Sequence, residues 1–234
     1  MPAASTTLRA IAGSVIVGFL ITGCQTLDEA GQVIGRADLV NDLATRLGSS
    51  AELTYSADYQ LPGGESASIA QSQEPLRAAY VYPGGRLTVT LDATTECVAE
   101  ASKQTCTVNP PPVTATRPSV ALFETASEHG LITPPVVIGL LTAAALDPAA
   151  VIEQNDTSVA GRHATCVDVS QVTNAAAASF QTCITTEGVL GSFTGVVDGT
   201  GVDIALSRYR EAVESTVFDL PAGAGVVDRR PDQQ

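Results

Sequence analysis

The sequence is poor in aromatic and basic side chains. It has no Trp, 4% aromatic residues, two histidines, and 12 Lys and Arg against 25 Asp and Glu, which leaves a formal net charge of −13. The basic residues are scattered along the chain, so a phosphate backbone would be repelled and nucleic acid is not an expected partner. An apolar content of 44% over 234 residues excludes a wholly disordered chain and is enough for one globular domain.

Motifs that assemble catalytic or metal-binding side chains are missing from the sequence. There is no G-x-S-x-G elbow, H-E-x-x-H, P-loop, G-x-G-x-x-G after a strand, or Cys-x-x-Cys pair. His129 and His163 have no nucleophile or second ligand at a useful spacing, and Glu124 and Glu128 are typical of a solvated helix face. We therefore expect no enzyme, no cofactor and no bound metal, although two carboxylates anywhere in a fold can form a glycosidase-type pair.

No apolar run is long enough for a permanent membrane span. Residues 10–22 are almost entirely apolar, but as a helix they would cover about 20 Å, against about 30 Å of hydrocarbon. Such a segment after a short N-terminal region with one cation predicts a secretory signal, residues 1–23. The residues at its end and just after it are Ile21, Thr22, Gly23 and Cys24. They resemble the bacterial lipobox, in which the thiol of the Cys is acylated. The alternative is an ordinary signal peptide with a chance Cys.

This resemblance implies a lipid anchor at Cys24, with residues 24–26 as the anchored N-terminus of the mature chain. Several buried acyl chains give stable attachment to a bilayer, whereas one chain is marginal. The expected location is the cell membrane, lipid-anchored, on its extracytoplasmic face, with the membrane as a partner through the anchor.

The remaining four cysteines are even in number, as expected for an exported chain with two disulfides. Three pairings are possible. We favour Cys97 with Cys106 and Cys166 with Cys183, because each pair sits in neighbouring segments of strand character.

Hydrophobic periodicity divides the chain into two runs of strands that flank a helical insert. Helical spacing or helix-start residues predict helices at 27–47, 119–129, 134–146 and, as a short piece, 149–153. Strand patterns occur at 53–61, 67–71, 76–82, 86–92, 94–99, 104–108, 158–169, 179–186, 188–197, 202–207 and 214–218. Gly199, Thr200 and Gly201, which follow Asp198, are typical of a hairpin turn. Residues 222–234 are predicted to be a flexible polar tail.

The order of these elements after a lipobox is similar to that of the LolA/LprG/LppX-type bacterial lipoproteins. The resemblance implies an actinobacterial member of this group. The local stretches that carry the resemblance are 38–43 before the first strand and 159–162 leading to Cys166. It implies an α+β fold over residues 27–221: a strongly curved antiparallel sheet, an incomplete β-barrel, covered on its concave side by helices. The space between sheet and helices would hold the acyl chains of a lipid.

The expected ligand-contacting side chains are inward strand positions and the apolar face of helix 134–146. They are Tyr55, Tyr59, Ile69, Tyr80, Leu87, Val89, Val137, Leu140 and Leu141. A packed core has the same sequence signature as such a cavity. The alternative function is therefore a membrane-anchored interaction module with a filled core that supports an envelope protein partner, whose identity the sequence does not give.

Overall fold

The computed structural model describes residues 23–100, 103–112 and 120–231, with backbone only for residues 23–34 and for Glu100. The predicted signal peptide lies outside the described residues, except for the backbone of Gly23, and so does the side chain of Cys24. Within the described ranges, no helix combines the length and apolar character that crossing a bilayer requires.

Three α-helices and twelve strands follow one another in the described part of the chain, with short 3-10 helices between some of them. The helices are α1 (Gly23–Ser49), α2 (Glu124–Glu128) and α3 (Pro134–Leu146). The first six strands are β1 (Tyr55–Gln60), β2 (Ser66–Gln73), β3 (Leu76–Tyr82), β4 (Gly85–Thr90), β5 (Thr94–Glu100) and β6 (Lys103–Asn109). The others are β7 (Val151–Val159), β8 (Arg162–Ser170), β9 (Phe180–Thr185), β10 (Leu190–Val197), β11 (Thr200–Arg210) and β12 (Gly225–Asp228).

All twelve strands belong to one open, mixed sheet. Its order is β12-β6-β5-β4-β3-β2-β1-β11-β10-β9-β8-β7. Neighbouring strands from β6 to β7 are antiparallel, whereas β12 is parallel to β6. Two local meanders, β1 to β6 and β7 to β11, are therefore joined at the centre by the pairing of β1 with β11.

The second meander curls back on itself. β7 contacts β11 although β8, β9 and β10 lie between them in the sheet. The Arg162 guanidinium at the start of β8 lies 4.3 Å from the ring centroid of Tyr209 on β11 and forms an ion pair with Glu187. These contacts hold together strands that a flat sheet would keep far apart.

One face of the sheet carries the main core. Alternate residues of β1 and β11 point to it, and side chains from α1, α2 and α3 complete it. From α1 these are Val40, Leu43 and Leu47, which are fully buried. Helix α2 contacts β3, β4 and β11, and α3 contacts the 3-10 helix Val120–Phe123. We call Val120–Phe123, α2 and α3 together the helical cover.

The C-terminal segment crosses the opposite face of the first meander. The Arg77 guanidinium lies 4.1 Å from the ring centroid of Phe218, and Arg86 donates a 2.7 Å hydrogen bond to the Asp219 carbonyl. The chain then pairs with β6 through β12. Residues 214–218 were predicted as a strand, which is wrong, because Ser215–Phe218 is a 3-10 helix.

Other segments also differ from the sequence-based expectation. Residues 158–169, predicted as one strand, contain the turn between β7 and β8. Residues 149–153 do not form a helix, because Val151 begins β7 and pairs with Ser170 of β8. The segment predicted as a polar tail contains β12, whose main chain extends the sheet, and its last three residues, 232–234, lie outside the described residues.

Candidate ligand-binding site beneath the helical cover

The nine side chains expected to contact a ligand lie in one continuous apolar core. They come from β1, β2, β3, β4 and α3, and each is between 0 and 6% exposed. The sheet register aligns Ile69 with Tyr80 and Tyr80 with Leu87, so these three form a row across neighbouring strands. The structure thus brings the nine together, and it packs them against protein atoms rather than solvent.

Helix α3 supplies the apolar underside of the cover. It has no charged residue, and Pro134 and Pro135 occupy its first turn, where the ring fits the backbone and no N–H is missed. Within this helix Val137 and Leu141 are fully buried, whereas Leu146 at its C-terminal end is 79% exposed. The hydroxyl of Thr142 donates to the Ile138 carbonyl at 2.7 Å, so it needs no other partner.

The C-terminal end of α3 is fixed by Asp147. Its carboxylate accepts hydrogen bonds from the Ala149 N–H at 2.8 Å and from both the N–H and the hydroxyl of Thr173 at 2.6 Å. The Thr173 hydroxyl, followed by the two N–H groups, lowers the pKa of Asp147 below its usual value. This carboxylate therefore ties the cover to the loop between β8 and β9 as long as it is ionised.

The low pKa of Asp147 predicts a pH-dependent contribution to stability. A carboxyl whose pKa is depressed by folding stabilises the native state above its unfolded pKa, about 3.9, and loses that contribution as the pH falls through the native pKa. We expect Asp147→Ala to lower the melting temperature at pH 7, and the gap to wild type to narrow as the pH falls below the unfolded pKa of about 3.9. Thermal melting from pH 7 to about pH 2.5 measures the gap.

The control for this prediction is Glu65→Ala, which removes another exposed carboxylate. It should leave the melting temperature at pH 7 close to that of wild type, because a surface substitution away from caps and buried networks changes stability little. A gap for Asp147→Ala that stays constant across the whole acid range would contradict the assigned role of the charge.

Tyrosine hydroxyls are the main polar groups inside the core. Tyr59 donates to the Leu190 carbonyl at 3.0 Å, and Tyr55 forms a hydrogen bond with Ser50. Burial raises the pKa of Tyr55 to about 12 and that of Tyr59 well above its usual value. Tyr80 packs edge-on against Phe123 of the cover, with ring centroids 4.9 Å apart, and burial likewise raises its pKa. All of these hydroxyls stay neutral at physiological pH.

Two buried hydroxyls in this region have no hydrogen-bond partner among the described residues. They belong to Tyr82 at the end of β3 and to Thr133 just before α3. Tyr82 is 4% exposed and stacks on His129, which ends α2, with ring centroids 5.6 Å apart. Sequence reasoning selected Tyr80 and missed Tyr82, although both lie on the same face of one strand.

The two disulfides follow the pairing that the sequence favours. Cys97 is bonded to Cys106 across β5 and β6, and Cys166 to Cys183 across β8 and β9. In each case the two cysteines are direct partners in the strand register.

The histidines and carboxylates named in the sequence analysis lie on β8 and on or next to α2. His163 is exposed on β8 opposite Ser158, while Glu124 and Glu128 lie on α2. In the part of the chain that the structure describes, no three His, Cys, Asp or Glu side chains are placed to hold a metal ion.

Comparison with known proteins gives no family assignment. No protein-family model and no curated protein matches the sequence. The solved structures that share part of the arrangement include the following two. An uncharacterized conserved protein from Thermus thermophilus has a TM-score of 0.45 and 11% identity, over 81% of this chain and 98% of that chain. MucB has a TM-score of 0.44 and 13% identity, over 80% of this chain and 65% of the MucB chain. Similarity at this level assigns no function, and the LolA/LprG/LppX-type membership stays a prediction.

Proposed function

We propose that this protein is a lipid-anchored protein of the extracytoplasmic face of the cell membrane that binds an acyl chain between its sheet and its helical cover. The observation that carries the proposal is that the uncharged helix α3 contributes three of the nine side chains, and strands β1 to β4 the other six, to one continuous apolar core. The cover lies on the concave side of a curved sheet in this proposal, and Cys24 supplies the anchor.

The chemistry of such a site is binding rather than catalysis. Each methylene transferred from water into the core contributes about 0.8 kcal/mol, so a long acyl chain gains most of its affinity from burial alone. The side chains that surround the chain are neutral, and no cofactor is needed. Because the core is closed, the ligand must displace part of the helical cover as it enters.

The proposal predicts a sharp difference between two substitutions on α3. Leu141→Trp enlarges a fully buried side chain, whereas Leu146→Trp makes the same change at an exposed position of the same helix. Overpacking a closed interior costs about 1–3 kcal/mol. We therefore expect Leu141→Trp to lower the amount of bound lipid about tenfold, and Leu146→Trp to leave it unchanged.

The measurement is mass spectrometry of lipids extracted from the full-length protein, purified from a bacterial envelope and transferred from detergent to amphipol. The acyl groups on Cys24 are covalent and stay with the protein. Circular dichroism checks that both variants fold. Stoichiometric lipid in wild type that survives Leu141→Trp unchanged would place the ligand elsewhere.

A second candidate function is favoured by one observation: the nine side chains are almost completely shielded by protein atoms. In that case the core is filled, and the chain is an anchored module that supports an envelope protein partner. Well-folded protein with no extractable lipid and no uptake of added lipid supports this second function and rejects the first.

A further inference from the structure

The Tyr82 hydroxyl is a buried polar group that the described part of the fold leaves without a partner. Almost all buried polar atoms in folded proteins have at least one hydrogen bond, since leaving one unmade costs about 1–3 kcal/mol. Tyr59 shows the usual solution in the same core, because its hydroxyl reaches the Leu190 carbonyl. An unpaired hydroxyl at Tyr82 points to a partner outside the described residues.

The ring of Tyr82 is held in position from the sheet and from the cover. It lies across Gly85: a Cβ atom on Gly85 would come within 2.8 Å of the Tyr82 Cζ atom and 2.9 Å of its hydroxyl oxygen. The imidazole of His129 stacks on the same ring at an interplanar angle of 18°. The hydroxyl is therefore fixed where the end of α2 meets β3 and β4, at the margin of the proposed site.

The charge nearby selects the kind of partner. Burial, followed by the Glu96 carboxylate, raises the pKa of Tyr82 to about 12, so the hydroxyl is protonated at neutral pH and can donate. The same carboxylate disfavours an anionic group beside it. The Thr133 hydroxyl, four residues after His129, is a second buried donor without a partner among the described residues.

We propose that the Tyr82 hydroxyl donates a hydrogen bond to a neutral oxygen of the bound lipid, the carbonyl of an ester-linked acyl chain, and so selects acyl esters over free fatty acids. This inference rests on the proposed function and adds the chemistry of the ligand's polar end. It also explains why an unsatisfied hydroxyl is retained in the ligand-free core.

The test measures binding of three radiolabelled probes to the full-length protein in amphipol: methyl palmitate, palmitate and hexadecane. Wild type should bind methyl palmitate more tightly than palmitate. Tyr82→Phe should weaken the binding of methyl palmitate about 3- to 10-fold. It should leave the affinity for hexadecane, which has no hydrogen-bond acceptor, unchanged. In the absence of probe, Tyr82→Phe should melt at the same temperature as wild type or higher, because it removes an unpaired polar group.

The matched control is Tyr209→Phe, which deletes the hydroxyl of a tyrosine on β11 that is not among the nine ligand-contacting residues. It should leave the affinities for all three probes as in wild type. Thr133→Val deletes the second unpaired hydroxyl, just before α3, with little change in side-chain volume. It should weaken the binding of methyl palmitate less than Tyr82→Phe does, and it should not alter the affinity for hexadecane.

Two results would overturn the inference in different ways. If wild type binds all three probes and Tyr82→Phe binds methyl palmitate equally well, the role of Tyr82 is wrong while lipid binding stands. If wild type binds none of the three, the proposed function fails and this inference fails with it.

Discussion

Replacing Cys97, Cys106, Cys166 and Cys183 together by Ala is expected to lower the free energy of unfolding by about 6 kcal/mol. A crosslink stabilises mainly by restricting the unfolded chain, and closing loops of this size contributes about 3 kcal/mol each. The bridges span 9 and 17 residues, so the pair on β8 and β9 should contribute slightly more. Native domains have a total stability of about 5–15 kcal/mol, so the loss would be a large fraction of it.

Urea unfolding followed by circular dichroism measures this effect. The two double variants, Cys97→Ala with Cys106→Ala and Cys166→Ala with Cys183→Ala, separate the contributions and serve as controls for each other. Because the bridges lie in different meanders, the two losses should add. A combined loss below about 1 kcal/mol would show that the bridges do not stabilise the fold.

Gly188→Ala is expected to lower the free energy of unfolding by about 2–4 kcal/mol. Gly188 has a φ of +85°, which costs an L-residue about 1–2 kcal/mol. A Cβ atom there would also collide with the Arg46 carbonyl oxygen of α1 and lie 3.1 Å from the Ser49 hydroxyl oxygen. Relieving that collision requires a shift of backbone, since the turn between β9 and β10 packs directly on the end of α1.

Gly161→Ala is the control that separates the two causes. Gly161 has a φ of +75° but no heavy atom within 4 Å of an added Cβ, so only the backbone conformation is penalised. Its loss in urea unfolding should be about 1–2 kcal/mol. Equal losses for the two variants would mean that the close approach to α1 contributes nothing.

Several elements could be predicted to the residue because local signals coincide with tertiary packing. Helix 134–146 begins at a Pro pair and ends before Asp147 and Pro148, and α3 has the same bounds. Strand 76–82 is the same as β3. The hairpin at Asp198 and Gly199 has both residues at positive φ, as the sequence indicates.

The secondary-structure predictions are wrong where pairing with strands far along the chain determines the structure. Residues 149–153 favour a helix locally, but their main chain completes the sheet beside β8. Strand β12 has only exposed side chains, so no apolar alternation in the sequence indicates its pairing with β6.

In the candidate site, too, the sequence predicts what local patterns determine and misses what distant segments determine. Its apolar members could be found because alternation along β1 to β4 fixes which side chains point inward. The environment of Tyr82 could not, because His129 and Glu96 come from separate segments, and an unpaired hydroxyl leaves no pattern in the sequence.

The helical cover is joined to the sheet by a short connection after α3. Residues 147–150 link α3 to β7, and four residues reach at most about 13 Å when fully extended. Asp147, the first of them, accepts hydrogen bonds from Thr173 in the loop between β8 and β9. The end of α3 is therefore held close to the second meander, so we expect an entering ligand to displace other parts of the cover before this end.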